Sequence, residues 1–279
     1  MRVLQVYKGV YPRVKGGIER YVHDLGVYLV SRGHQVEVMV PGSRPVSRRY
    51  TVHGMQVNTV PGLASFLSNP VVPGLGLRLR RAEADVIHFH LPLPTAVLSW
   101  SVWGDRRPYV ITYHSDIVRQ QLFLPLYGPL LMRFLRRASC VLATSPVYVR
   151  SSRFLSRLKN VRVAPIGVDT ERFSPGGEGP GAYYLFVGRF RRYKGIEVLL
   201  DTWSGLDQRL LMVGDGPLRR RAEERIESQR LNVRLLGSVE DSELIGLYRG
   251  ARALILPSTH RSEAYGMVQL AAMACGIGE

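Results

Sequence analysis

The chain has 279 residues, of which 46% are hydrophobic and 22% are charged, and this composition excludes a disordered or low-complexity protein. Cys140 and Cys275 are far apart in apolar segments, which argues against a disulfide framework and against a cysteine metal site. The net charge of +16 predicts an anionic partner, either an acidic lipid surface, a phosphorylated ligand or nucleic acid.

The basic residues cluster in two stretches with helical character, Arg78, Arg80 and Arg81, and Arg133, Arg136 and Arg137. Such stretches suit a helix that lies on an anionic membrane, although solvated faces of an arginine-rich chain would give the same pattern. No motif typical of nucleic-acid binding accompanies the charge, so a nucleic-acid partner is not expected. Neither a signal peptide nor a bilayer-length apolar run is recognisable. We therefore expect a cytoplasmic protein, with the membrane hypothesis placing it at the inner face of the plasma membrane.

Short β-rich segments alternate with helical patterns from the N-terminus onward. The predicted elements are a strand at Val3–Tyr7, a helix at Ile18–Ser31, and strands at Gln35–Val40, Asp85–Phe89, Tyr109–Tyr113 and Cys140–Thr144. Helical segments separate the last three strands. Nearly continuous apolar strands between helices predict a parallel sheet that is covered on both faces.

Glycine and proline concentrate between residues 160 and 181, which predicts an interdomain linker at 165–182. Beyond it the alternation resumes, with strands at Tyr183–Val187, Arg209–Val213, Val233–Leu235 and Ala253–Leu256, and helices that begin near Gly195, Pro217, Ser242 and Ala264. Asp241 is expected to cap the third of these helices. The sequence thus predicts the α/β class, with two Rossmann-like, doubly wound parallel-sheet domains at 1–164 and 183–279. Ligands bind such sheets at the carboxyl ends of the strands, so the cleft between the two domains is the expected site.

Glycine-rich loops follow several predicted strands. Gly16 and Gly17 directly precede the first helix, where backbone N–H groups can approach an anion, although most such pairs are only turns. The loop is not a G-x-G-x-x-G fingerprint, so a nicotinamide cofactor is not supported. A similar strand-to-helix turn lies at 214–217.

Two cations, Arg189 and Lys194, stand between Gly188 and the next predicted helix. An arginine fork and a lysine point charge at the end of a strand suit a pyrophosphate. The alternative is a solvated basic loop, since Arg191 and Arg192 are also there.

A carboxylate and a helix start follow the last predicted strand. Glu263 can accept hydrogen bonds from sugar hydroxyls, and first-turn amides near Tyr265, Gly266 and Met267 can hold a phosphate.

The order and spacing of these segments closely resemble glycosyltransferase family 4, whose members have the GT-B fold. The resemblance covers essentially the whole chain. The matching segments are Gly16-Gly17-Ile18-Glu19-Arg20, Asp85-Val86-Ile87-His88, Thr112-Tyr113-His114-Ser115-Asp116, Pro165-Ile166-Gly167-Val168-Asp169 with Phe173, Val187-Gly188-Arg189, Lys194-Gly195, Val213-Gly214-Asp215-Gly216-Pro217, Pro257-Ser258, Ser262-Glu263-Ala264-Tyr265-Gly266 and Ala272-Met273-Ala274-Cys275-Gly276.

The resemblance implies a retaining transfer of a hexose from a UDP- or GDP-sugar to a lipid-linked or saccharide acceptor, in the synthesis of cell-envelope polysaccharide. By position, Arg189 and Lys194 would bind the donor diphosphate, Glu263 would hold the donor sugar, and His114 would lie near the transferred sugar. Without the resemblance, a single histidine at a strand end is more often structural. The other implied contacts to the donor are Gly188, Gly214, Gly216, Tyr265, Gly266 and Met267, and Gly16 and Gly17 would line the acceptor side. No metal and no other cofactor is implied.

Two features depart from the family pattern. Ala271 occupies the position of a second glutamate that usually holds the ribose of the nucleotide, and losing that acceptor would cost ~1.5–3 kcal/mol of donor binding. The chain also ends at Glu279, where relatives continue with further β/α units, so the second domain is expected to be incomplete by C-terminal truncation. The alternative function is therefore a catalytically impaired pseudoenzyme or a nucleotide-binding fragment.

Overall fold

The structure is a computed structural model that describes residues 1–66, 69–116, 124–176, 181–260 and 265–278. The chain divides into two compact units, residues 1–165 and 166–279. Residues 166–176, which the sequence assigns to a linker, belong to the second unit, where Val168 and Phe173 pack against the core.

The first unit is built on an eight-stranded sheet of order β10-β9-β8-β7-β1-β2-β4-β3. Its strands are β1 (Arg2–Val6), β2 (Gln35–Pro41), β3 (Arg48–Val52), β4 (Met55–Val60), β7 (Val86–Leu91), β8 (Tyr109–Tyr113), β9 (Cys140–Ala143) and β10 (Val161–Val163). All neighbours pair in parallel except β3, which pairs antiparallel with β4. A two-stranded sheet of β5 (Ala64–Phe66) and β6 (Asn69–Val71) stands apart.

Helices cover both faces of this sheet. They are α1 (Gly17–Ser31), α2 (Leu75–Arg81), α3 (Pro94–Trp103), α4 (Leu124–Arg137) and α5 (Pro146–Ser151), with a 3₁₀ turn at Leu155–Arg157. Helix α1 packs its buried Val22 against β2 and β4. On another part of the sheet, Phe89 of β7 packs against aromatic rings from three neighbouring elements, Trp100, Tyr109 and Phe134.

The second unit has a four-stranded parallel sheet of order β13-β12-β11-β14. Its elements are β11 (Tyr183–Val187), a 3₁₀ turn (Arg192–Lys194), α6 (Ile196–Trp203), β12 (Leu210–Val213), α7 (Arg219–Gln229), β13 (Val233–Gly237), α8 (Asp241–Arg249), β14 (Ala251–Leu254) and α9 (Met267–Ala274). Alternate residues of β11 belong to two different apolar clusters. Leu185 and Val187 pack in one cluster, and Phe186 packs in the other. Helices therefore cover both faces of this sheet too, and the predicted α/β, doubly wound class is confirmed for each unit.

One local prediction needs correction, and one hairpin was not predicted. Asp241 is the first residue of α8 rather than its N-cap, which is Glu240, and the Asp241 carboxylate forms an ion pair with Arg172. Strands β3 and β4 form a hairpin that the sequence did not predict. His53 (φ 44°) and Gly54 (φ 82°) both take left-handed backbone conformations there, as a tight turn between β3 and β4 requires.

Candidate active site

The strand order places a ligand crevice in the second unit. From β11 the chain builds outward through β12 and β13, and it then returns to pair β14 on the other side of β11. In a doubly wound sheet, ligands bind outside the carboxyl ends of the strands at this reversal. The described loop residues there are 188–195 after β11, and 255–260 with 265 and 266 after β14, and they include several of the predicted donor contacts.

Lys194 is the buried cation of this crevice, with 7% of its surface exposed, whereas Arg189 is exposed. The stem of Lys194 lies over Gly188, where a β-carbon would come within 3.4 Å of its Cε. Its Nζ is 5.8 Å from the centroid of the Tyr193 ring. An ammonium group loses hydration when buried, so it is stabilised by the negatively charged or hydrogen-bonding groups around it.

A glycine brings the two loops together. Gly195 has φ 68°, and a β-carbon on it would lie 1.9 Å from the Pro257 carbonyl oxygen. The Thr259 amide donates to the Tyr193 carbonyl at 3.0 Å. The loop after β14 is thus held against the loop that carries Lys194.

The loop after β12 joins the same edge of the sheet. Gly214 (φ 129°) approaches the Gly188 carbonyl so closely that a β-carbon would lie 2.0 Å from its oxygen. A β-carbon on Gly216 (φ 157°) would lie 2.7 Å from the carbonyl oxygen of Phe190, whose amide donates to the Asp215 carbonyl at 2.9 Å. The structure therefore brings Gly188, Gly214 and Gly216 together by backbone packing.

Helix α9 starts at this edge as well. Gly266 (φ 71°) is its N-cap and Met267 its first residue, and the Tyr265 hydroxyl donates to the Ile166 carbonyl at 3.1 Å. The Ser258 Oγ is buried without a hydrogen-bond partner among the described residues. Glu263 lies outside the described residues. Ala271 is 7% exposed and packs in an apolar cluster with Leu254 and other residues of the second sheet.

The first unit holds a separate polar cluster beneath α1. Strand register sets Gln5 of β1 beside His88, and His90 of β7 beside Thr112 of β8. His114 follows β8 directly, with 4% of its surface exposed, and its amide donates to the Leu91 carbonyl at 3.0 Å. The side chains therefore meet on the face of the sheet that lies under the Val22 carbonyl of α1.

Hydrogen bonds connect this cluster. The Nε2 of His114 is 3.2 Å from the Nδ1 of His90, whose Nε2 is 3.0 Å from the Oε1 of Gln5. The Nε2 of His88 is 2.7 Å from the Thr112 hydroxyl. The rings of His88 and His90 stack at 4.2 Å between centroids.

Burial keeps all three histidines neutral. Desolvation lowers the pKa of His88 to about 4 and, with a smaller contribution from His88, lowers the pKa of His114 to about 3. It places the pKa of His90 well below the ordinary value of 6.5, with His88 and His114 adding to the effect.

Gly16 and Gly17 lie at the start of α1. Gly16 is the N-cap, in an extended conformation, and no side chain caps the helix. Gly17 is exposed and Gly16 half-buried, so amide groups of the first turn lie near the surface. Tyr21, one turn further, packs edge-on against His114 with ring centroids 5.1 Å apart.

Sequence reasoning named His114 but missed its hydrogen-bonded neighbours His90 and Gln5. One signal was available, since His88 and His90 are two residues apart on an apolar strand and must share a face. The partnership with Gln5 carries no such signal, because 85 residues separate it from His90.

Within the part of the chain that the structure describes, no group of three or more histidine, cysteine or acidic residues could hold a metal ion. A search of the same residues finds no helix with the length and apolar character to cross a bilayer.

The sequence matches the model of Glycosyltransferase Family 4 over residues 15–172 and that of Glycosyl transferases group 1 over residues 168–278. O-antigen chain mannosyltransferase C of Escherichia coli is 36% identical over 97% of this chain and 76% of its own length. D-rhamnosyltransferase WbpZ of Pseudomonas aeruginosa is 34% identical over 96% of this chain and 74% of its own length. A phosphatidyl-myo-inositol mannosyltransferase of Mycobacterium leprae is 29% identical over 94% of this chain and 74% of its own length. The chain therefore spans about three-quarters of the length of these relatives.

The fold agrees with this match. Sucrose-phosphate synthase from Thermosynechococcus elongatus superposes with a TM-score of 0.74 at 23% identity, over 99% of this chain and 79% of that structure. Both family models and two relatives above 30% identity point to one assignment. This chain belongs to glycosyltransferase family 4, with the GT-B fold, and is a glycosyltransferase that uses a nucleotide sugar.

Proposed function

We propose that this chain transfers a hexose of manno configuration from a nucleoside-diphosphate sugar to a saccharide or lipid-linked acceptor, with retention at the anomeric carbon. The proposed sugar is supported by two relatives named as a mannosyltransferase and a D-rhamnosyltransferase, because D-rhamnose is 6-deoxymannose. The acceptor class is supported by relatives that act on O-antigen and on phosphatidylinositol.

The observation that carries the proposal is the buried Lys194, in the same loop as the exposed Arg189, at the reversal of the second sheet. Negative charge grows on the diphosphate as it leaves the sugar, and preorganised cations lower the free energy of that transition state. Amide groups at the start of α9 would bind the same phosphates, since the N-cap residue, Gly266, has no side chain of its own to occupy them. Glu263 is proposed to hold the hydroxyls of the donor sugar.

Retention is proposed to follow from attack on the face that the diphosphate leaves. The bond from the anomeric carbon to the phosphate oxygen breaks, and the acceptor oxygen forms its bond on the same face. The acceptor proton passes to the departing phosphate oxygen, so no second carboxylate and no metal ion is required in this scheme. The anomeric configuration of the first product, measured by NMR, tests retention, and an inverted product would contradict it.

Calorimetric titration of the full chain with GDP, UDP, GDP-mannose and UDP-glucose tests the donor site. We expect one nucleotide to bind and Lys194→Ala and Arg189→Ala each to weaken it by about 10- to 100-fold, the loss of one charge-assisted hydrogen bond. Arg192→Ala is the matched control, because Arg192 is an exposed cation of the same loop. Equal losses in all three variants, or no binding by the folded chain, would refute the assignment.

We further propose that the first unit docks on an anionic membrane surface through α2, α3 and α4. The predicted arginine clusters lie on α2 and α4, where all six side chains are exposed. Helix α3 packs between these helices and exposes Val102 (74%) and Trp103, while α4 exposes Leu126 (86%). Cations beside exposed apolar side chains are typical of a helix at a lipid headgroup layer, which vesicle binding tests.

A further inference from the structure

The polar cluster beneath α1 contains a chain of hydrogen bonds whose direction can be deduced. The Nε2 of Gln5 is 3.1 Å from the Val22 carbonyl oxygen. A carbonyl only accepts, so this atom of Gln5 must be the amide nitrogen. The other amide atom, which faces His90, is therefore the oxygen.

The positions of the imidazole hydrogens on His90 and His114 follow from the orientation of the Gln5 amide. The His90 Nε2, 3.0 Å from an oxygen that only accepts, must carry a hydrogen. In a neutral imidazole the other nitrogen is then a lone-pair acceptor, and His90 Nδ1 faces the His114 Nε2 at 3.2 Å. His114 must donate from Nε2, which leaves its Nδ1 without a hydrogen.

Packing holds the three groups in this arrangement. Tyr7 and Tyr21 pack against both rings. The ring centroid of Tyr7 is 6.2 Å from that of His90 and 6.4 Å from that of His114. The ring centroid of Tyr21 is 5.8 Å from that of His90 and 5.1 Å from that of His114. Burial lowers the pKa of both histidines far below 6.5, so neither ring is protonated at neutral pH. Gly26 of α1 leaves the space for the Gln5 amide, since a β-carbon there would lie 2.7 Å from its Nε2.

We propose that Gln5 and His90 are positioning residues that fix His114 as the Nε2–H tautomer, with Nδ1 as a hydrogen-bond acceptor at the carboxyl end of β8. The inference rests on the proposed function and on the family resemblance, which implies that His114 lies near the transferred sugar. In this tautomer His114 accepts a hydrogen bond from a sugar hydroxyl and cannot donate one through Nδ1. Gln5 thereby favours donors with a hydrogen-bond donor, such as a hydroxyl, at the position that His114 contacts over donors whose group there can only accept.

Long-range ¹H–¹⁵N correlation spectra of the full chain labelled with ¹⁵N-histidine test the tautomer without any ligand. We expect His114, assigned by its loss in His114→Asn, to show one Nε2–H tautomer that does not titrate between pH 5 and 8, a range above its pKa of about 3. A hydrogen on Nδ1, or titration of His114 within that range, overturns the proposal. This test needs only the unsubstituted protein.

Gln5→Met keeps the length of the side chain and removes both hydrogen-bonding atoms. We expect His114 to become a mixture of tautomers, and persistence of the single Nε2–H form would overturn the positioning role of Gln5. Thr112→Val is the control on the same sheet face, because it removes the hydroxyl that His88 and Tyr21 contact and leaves the hydrogen bonds from Gln5 through His90 to His114 intact. The His88 signals should move, while His114 should keep the single Nε2–H tautomer.

Affinities for the sugar nucleotide and for the free nucleotide distinguish a failure of this proposal from a failure of the proposed function. In Gln5→Met we expect the affinity advantage of the sugar nucleotide over the free nucleotide to fall about fivefold, the loss of one hydrogen bond, with free-nucleotide affinity unchanged. An unchanged advantage overturns the substrate part of the inference. No nucleotide binding by the parent chain refutes the proposed function instead, and the tautomer result still stands or falls by the spectra.

Discussion

Lys194 and His114 illustrate two ways in which a buried polar residue is stabilised. The Lys194 stem packs over Gly188, and the side chain is buried in the loop that follows β11. His114 avoids the cost of burying a charge by staying neutral, and its ring nitrogen is satisfied by His90. The first arrangement suits binding of a diphosphate, and the second suits a neutral hydrogen-bond contact.

Two helical glycines should respond to alanine with opposite signs. In Gly26→Ala the new methyl would lie 2.1 Å from the Met55 Sδ and 2.7 Å from the Gln5 Nε2, so we expect a loss of about 1–3 kcal/mol from overpacking. Gly246, exposed in the middle of α8, has no atom within 4 Å of such a methyl, and Gly246→Ala should add about 0.5–1 kcal/mol. Urea unfolding measures both. Stabilisation by Gly26→Ala would mean that α1 does not pack this closely over the sheet.

At the scale of elements, β7 separates two environments. Ile87, Phe89 and Leu91 alternate with His88 and His90, so one face of the strand is aromatic and aliphatic and the other is polar. Both faces are buried, which is why the strand looks apolar throughout although it carries two histidines. Parallel neighbours in register then add Gln5 and Thr112 to the polar face.

This sheet face makes the protein sensitive to acid. His88 and His114 have pKa values of about 4 and about 3 in the folded chain and near 6.5 when unfolded, so the unfolded state binds more protons between those values. The free energy of unfolding is therefore full above pH 6.5 and falls as the pH drops, by up to ~1.4 kcal/mol per pH unit for each histidine. His90 acts in the same direction.

Urea unfolding between pH 7.5 and 5 measures this slope, in a range above the pKa of ordinary carboxylates. His88→Gln should make the slope shallower by about a third, since one of three such groups is removed. His260→Gln, a change at an exposed position, is the control and should leave the slope as it is. A stability that does not change over this range would contradict the neutral burial of the cluster.

At the scale of the whole molecule, the positive charge of some arginines is neutralised by nearby glutamates. On α7, Arg219 and Arg220 pair with glutamates one turn away, and Arg221 pairs with Glu197 of α6. Exposed pairs of this kind contribute little to stability, but they neutralise local charge. The arginines at 133, 136 and 137 on α4 share an exposed helix face that has no acidic residue of its own.

The docking proposal predicts salt-sensitive binding of the full chain to vesicles with anionic lipid and none to neutral vesicles. Arg133→Glu with Arg136→Glu should weaken binding at least tenfold, at ~1 kcal/mol for each basic residue near the surface. Arg220→Glu with Arg221→Glu changes the net charge equally on α7 and is the matched control. Equal losses in the two double variants would indicate a response to total charge, and no binding at low salt would exclude the membrane surface.

Apolar runs and glycine loops were enough to predict most strands of both sheets, the doubly wound class and the loop with Arg189 and Lys194. These features are local, because each strand is a short continuous segment and the two cations lie in one loop. The hairpin of β3 and β4 was missed since its strand residues are half polar, and their pairing depends on the left-handed turn at His53 and Gly54.

Only the tertiary structure decided how distant segments combine. The approach of Gly195 to Pro257 depends on β14 returning beside β11, and the chain from Gln5 through His90 to His114 depends on the register of three strands. Sequence spacing carries no information about either, because hydrogen bonds between parallel strands connect residues that whole β/α units separate. The chemistry of single loops was thus readable from the sequence, whereas the protonation state and the tautomer of His114 follow from burial and neighbours that only the fold supplies.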